Sequence, residues 1–177
     1  MRNKALRVAI QLAVTVAAVY ALRALVWWPL RCSVVEKDTR LRMEAIEPIA
    51  ETLKGYRVAR SNYETMVRAF DECPPSLDVP MLAAANAQLF NDKTAVLLWN
   101  ERALTVDRRP ELYINLALSQ IEAGDVQSAV KNFAIAIRFD PHSAEMIGEP
   151  RLAALAAREA AAQTAALARA RGRAAER

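Results

Sequence analysis

An all-α chain with an N-terminal membrane-spanning helix and a short stack of helical hairpins is predicted by three observations. The first is composition: 177 residues, 54% apolar, with only 4 Gly and 8 Pro, in which Ala, Leu, Arg and Glu dominate and strand-like alternation is scarce. The second is a long apolar run near the N-terminus, broken by one charge. The third is a helix-turn-helix phrase that recurs at a fixed offset. Four parts follow: a tail and anchor (1–31), juxtamembrane helices (32–76), two repeated hairpins (77–142), and an Ala/Arg-rich capping helix with a basic tail (143–177).

The net charge of +4 is unevenly spread. Residues 1 to 7 hold three bases and no acid, and residues 151 to 177 hold six Arg against two Glu, whereas 8 to 150 hold 15 bases against 18 acids. No basic stripe crosses the presumed folded body, so nucleic acid is not an expected partner.

Val8 to Leu30 is a 23-residue run containing one charge, Arg23. As a helix it reaches roughly 34 Å, enough for a hydrocarbon core of about 30 Å. Ten of its residues are Leu, Ile or Val, and their summed insertion energy outweighs one arginine near the end. Arg23 can snorkel to the headgroups, and Trp27 and Trp28 stand where an interfacial aromatic belt would. A signal peptide cut after Val19-Tyr20-Ala21 is the other reading of this stretch. Lipid attachment at Cys32 lacks the small residues it needs before the cysteine. Lys and Arg counts on the two flanks nearly tie. The short tail and free amine favour a cytoplasmic N-terminus, hence a single-pass protein of the inner (cytoplasmic) membrane with its body on the periplasmic side.

The repeated phrase is "PELYINLALSQIEAGDVQSAVKNFAIAIRFDP", in which Tyr113, Leu116 and Ala117 precede the turn, and Ala129, Phe133 and Ala136 follow it before Pro141. Gly124 is placed to end one helix and Asp125 to cap the next. Small residues at Ala117 and Ala129 let two antiparallel helices cross closely. Thirty-three residues upstream, Ala84, Asn91-Asp92, Ala103 and Asp107 match Ala117, Gly124-Asp125, Ala136 and Asp140. Departures are Pro80 for Tyr113, Val96 for Ala129, and Trp99 one place off the register of Phe133. A third, degenerate unit is suggested by "NYETMVRAFDECPP". The order of residue types resembles a tetratricopeptide repeat, with Gln120 where that pattern expects tyrosine. "RLAALAAREAAAQTAALARARGRAAER" then suits the cap that a stack of such repeats needs.

No catalytic set is visible. His142, the one histidine, follows the helix-stopping Pro141 and reads as a turn residue. Cys32 and Cys73 make no metal-binding pair, no haem or phosphate-loop motif occurs, and no cofactor is expected. The two cysteines can pair in a disulfide if the body is extracytoplasmic.

Binding remains. The tetratricopeptide resemblance implies a concave groove lined by the first helix of each repeat, at Met81, Ala85 and Leu89, then Ile114, Leu118 and Ile121. Those positions are apolar, so the lysines and asparagines with which relatives clamp a terminal carboxylate are missing. The polar residues Asn115, Ser119 and Glu122 form one narrow stripe on their helix, so its other faces need cover, from a partner or from the chain's own tail or anchor-proximal helix. Two functions fit: a non-enzymatic tethered adaptor for membrane or envelope proteins, or an accessory subunit of a large integral-membrane complex.

Overall fold

The computed structural model describes residues 2–175, leaving aside the side chains of 1–10, Glu47, Gly172 and 175. Arg2, Lys4 and Arg7 of the basic tail therefore lie outside the described side chains. The described chain is helical with short connections and contains no strand. Its elements are α1 (Arg2–Leu22), a π turn (Arg23–Trp27), α2 (Trp28–Ile46), a 3-10 turn (Glu47–Ile49), α3 (Leu53–Glu72), α4 (Asp78–Leu89), α5 (Lys93–Val106), α6 (Pro110–Glu122), α7 (Val126–Phe139), a second 3-10 turn (Pro141–Met146) and α8 (Pro150–Ala175).

The apolar run does not end as a separate helix at Leu30. Gln11–Ile46 is one rod of 36 residues, long and apolar enough in its first part to cross a membrane, with none of its most apolar window buried by the rest of the chain. Leu25 is 76% exposed. Pro29 explains the π turn: it has no N–H to donate, and its ring would crowd the carbonyl of Leu25 in a regular α-helix. The backbone widens instead, and the Trp28 N–H reaches the carbonyl of Arg23, five residues back. From Trp28 onward the rod changes surroundings. Cys32, Thr39 and Ile46, spaced by seven, are buried, with Val35 and Met43 packed between them on the body. That seven-residue stripe docks α2 along its neighbours.

The body is a row of antiparallel hairpins, α4 with α5 and α6 with α7, α3 packing before them and α8 after. The two hairpins share their turn chemistry atom for atom. Asn91 has φ +58° and Gly124 has φ +87°, the left-handed conformation that reverses the chain after each first helix. Asp92 and Asp125 follow, their carboxylates accepting from the N–H of Ala95 at 2.9 Å and of Ser128 at 3.0 Å. Their own N–H groups return to the carbonyls of Ala87 and Gln120. Each second helix ends alike, with the Asp107 N–H on Ala103 O and the Asp140 N–H on Ala136 O. The same closing bond ends α3, from Cys73 to Ala69, which is the part of the degenerate upstream unit that the fold reproduces.

Two apolar clusters lie along the row. The first joins α3, α4 and α5 through Met66, Val79, Leu82 and Trp99. The second joins α6, α7 and α8 through Ile114, Phe133, Ile147 and Ala156. Trp99 sits off the register of Phe133 because it serves a different neighbour: its indole N–H donates to Tyr63 Oη at 3.1 Å, and its ring meets Tyr63 and Phe70 edge to face. Arg102 covers the Trp99 ring at 4.4 Å from the centroid. Buried amides bridge the stacked helices in a repeated way. Asn62 donates to Asn86 at 3.3 Å and Asn100 to Ser119 at 2.7 Å. Asn86 and Ser119, 33 residues apart, each donate in turn to the carbonyl four residues back.

α8 closes the far end. Ala156 and Ala160 are buried against the row, and Arg138 donates to Gln163 Oε1 at 3.0 Å. Beyond Ala170 the chain continues as helix to Ala175, with Arg171, Arg173 and Ala174 exposed.

Ala117, Ala129 and Phe133 are each 0% exposed. Ala129→Leu should cost about 1–3 kcal/mol by overpacking and Phe133→Ala about 3–5 kcal/mol through a cavity. Hydrogen exchange should quicken in α4 and α5 too, because the hairpins share an interface. A purely local change would contradict that coupling.

Candidate functional site

Two features of the surface concentrate chemistry: a groove between α4 and α6, and the junction where α2 leaves the apolar run. In the groove, Met81 and Ala85 stand one turn apart on α4, facing Leu118 across a space of 200 Å³. Gln88, Asn115 and Glu122 line the same space. Ser119 and Asn100 close its floor, joined by the 2.7 Å bond between them. Leu118 is 45% exposed. Glu122 is the one charged side chain lining the groove, whose other walls are apolar, amide or hydroxyl.

Of the six sequence-predicted groove residues, the structure brings together Met81, Ala85 and Leu118. Leu89 is half-buried outside the groove. Ile114 is 3% exposed and belongs to the second core cluster, against which Ile121 also packs. The rotation of α6 accounts for the split. Residues 114, 117 and 121 share the face turned to α7 and the second 3-10 turn, whereas 115, 118 and 122 share the next face, about 100° round the helix. The cover on this face comes from α7 and the second 3-10 turn, in the cluster that Ile147 and Ala156 complete, and nothing within α6 announces them. The expected polar stripe is also redistributed: Ser119 and Gln120 are buried, the latter accepting from Asn132 at 2.8 Å.

At the junction, Cys32 and Cys73 form a disulfide with Cα atoms 5.8 Å apart. The Trp28 indole N–H donates to the carbonyl of Glu72 at 2.7 Å. These two links tie the foot of α2 to the end of α3. Trp28 is therefore half-buried, whereas Trp27 is 63% exposed. Arg23 begins the π turn and lines a shallow hollow with Tyr20 and Trp28. Sequence reasoning had the cysteine pair open; their adjacency comes from α3 running back along α2.

Elsewhere, His142 is exposed beside Glu145. Among the described residues no three His, Cys, Asp or Glu side chains are grouped to hold a metal ion. Asp125 is held below the usual carboxylate range, first by its side-chain bond with Ser128 and then by the Ser128 N–H. Its lowered pKa makes this cap a contribution that is present above the unfolded carboxylate pKa and lost as the pH falls through the folded one.

The disulfide closes a loop with a sequence separation of 41. Its removal by Cys73→Ser should cost about 4 kcal/mol on loop-closure entropy, read as a lower melting temperature of the full chain in detergent. An unchanged melt would show the covalent link to be redundant with the packing of α2.

Ile114→Glu and Leu118→Glu should part company. The first buries an unpaired carboxylate and should cost about 3–5 kcal/mol, while the second, at an exposed position, should stay within about 0.5 kcal/mol. Equal melting temperatures would overturn the assignment of the two faces.

No protein-family model matches the chain, and neither a curated protein nor a solved structure matches it.

Proposed function

We propose that this chain is a membrane-tethered, tetratricopeptide-like adaptor whose α4–α6 groove receives an apolar segment of a partner protein at the membrane surface. The observation that carries the reading is the contrast between the two faces of α6: one packed into the second core cluster against α7 and the 3-10 turn that follows it, the other left with Leu118 exposed over Met81 and Ala85. The recurrence of turn, cap and closing bond at 33 residues supports the tetratricopeptide-like description. The partner segment is apolar at its centre and carries a donor or a base toward Glu122.

The tether is α1 with the π turn. The Cys32–Cys73 disulfide favours an oxidising compartment for the body, in keeping with a cytoplasmic N-terminus in the cytoplasmic membrane and a periplasmic body. A second reading, an accessory subunit of a larger membrane complex, is favoured by Arg23, a charge within the apolar rod of the kind that takes a protein partner.

Full-length protein should stay in the membrane pellet after alkaline carbonate washing. A photo-crosslinker placed at Gln88 should trap a discrete membrane protein, and Met81→Glu with Leu118→Glu should abolish the adduct while the melting temperature holds. Recovery in the wash supernatant would overturn the tether, and an adduct indifferent to both substitutions would overturn the groove. A fixed-ratio complex surviving mild detergent despite those substitutions would favour the subunit reading.

A further inference from the structure

The junction holds a second cleft that neither the tether nor the groove accounts for. It measures 280 Å³ and lies between the foot of α2 and the end of α3, with Arg31, Arg68, Glu72, Thr65 and Trp28 among its walls and the Cys32–Cys73 bridge beside them. Two guanidinium groups against one carboxylate leave it one positive charge in excess. Among the described residues neither arginine pairs with a carboxylate within 4.0 Å. The disulfide and the bond from Trp28 to Glu72 hold its two walls at fixed separation, so the cleft is preformed.

Its depth follows from helix arithmetic and rests on the tether proposed above. If residues 8–27 fill a hydrocarbon core of about 30 Å, Arg31 stands four residues, about 6 Å, beyond it. That is the headgroup layer, about 5–8 Å thick on each side. The cleft reaches along α2 from Trp28 to Val35, and Trp28 is placed as interfacial tryptophans are.

We infer that this cleft binds the phosphate of a glycerophospholipid headgroup, with Arg31 and Arg68 on the phosphate and Glu72 accepting from a hydroxyl or ammonium group of the headgroup. Guanidinium is the side chain best matched to phosphate oxygens, through paired charge-assisted bonds. Glu72 sets the selectivity. Glycerol and ethanolamine headgroups carry a donor for it, and choline, with its methylated nitrogen, has none. The bound lipid orients the body by pinning its membrane-facing end at two points, the anchor and the cleft, so that the α4–α6 groove keeps one attitude to the surface.

The test uses the full chain in nanodiscs of mixed phosphatidylglycerol and phosphatidylcholine, followed by detergent extraction and native mass spectrometry. The wild type should retain one phosphatidylglycerol per chain in preference to phosphatidylcholine. Arg31→Gln with Arg68→Gln should lower that retention at least about tenfold. The control pair Arg57→Gln with Arg158→Gln, both exposed and away from the cleft, should not. In a parallel arm, millimolar inorganic phosphate is added to lipid-free chain: a melting shift abolished by Arg31→Gln with Arg68→Gln would support the same site, supplied from solution. Equal retention of the two lipids together with no phosphate effect, or retention indifferent to Arg31 and Arg68, would overturn the proposal. Failure to incorporate into nanodiscs would count against the tether alone, and the phosphate arm would still decide the cleft.

Discussion

The stacking of the body rests on small residues, alanine above all, where helices come close. Ala83 and Ala87 of α4, Ala103 of α5, Ala117 of α6, Ala129 and Ala136 of α7 and Ala156 of α8 are fully buried, where added bulk overpacks a close-packed interior. Close approach has a cost in bulk: alanine contributes little apolar area, so the row gains its cohesion from a few large anchors, Trp99 and Phe133 foremost. The amide bridges from Asn62 and Asn100 supply what apolar area does not. They sit at the interface between one unit and the next, where a bare donor would be expensive, so they fix the stacking register as well as its energy.

The rod and the row meet at a joint that is built, not merely adjacent. A single continuous helix enters the body, and the seven-residue stripe of Cys32, Thr39 and Ile46 lays it against its neighbours. The disulfide and the Trp28 indole then lock its foot. The consequence is mechanical. A linker would let the body swing freely above a membrane, whereas this joint passes the inclination of the rod directly to the groove. The π turn before Pro29 interrupts the regular hydrogen-bond ladder of the rod next to that joint.

The groove and the junction cleft also differ in kind. The groove has an apolar lip, amide walls and one carboxylate, so it suits a protein segment; the cleft has two guanidinium groups and suits an anion. The proposed adaptor would use them together, one to hold a partner and the other to hold its own bearing on the surface.

The helical class, the apolar rod, the hairpin turn at Gly124-Asp125 and its copy at Asn91-Asp92 were legible in the residues, because each is set by local chemistry: helix propensity, a run of apolar side chains, a left-handed residue before an aspartate cap. Met81, Ala85 and Leu118 came as groove positions from the tetratricopeptide resemblance, and the structure sets these three around one space. What lay beyond reach was which face of α6 the rest of the chain would cover. Ile114 and Leu118 are both apolar and one turn apart, and only the packing of α7 and the second 3-10 turn on α6 buries the first and leaves the second in the open. The same holds at the junction. Cys32 and Cys73, with Arg31 and Arg68 beside them, are far apart in the chain, and it took the return of α3 along α2 to make a bridge of one pair and a cleft of the other, since long-range proximity is a property of packing and not of any residue's neighbours in sequence.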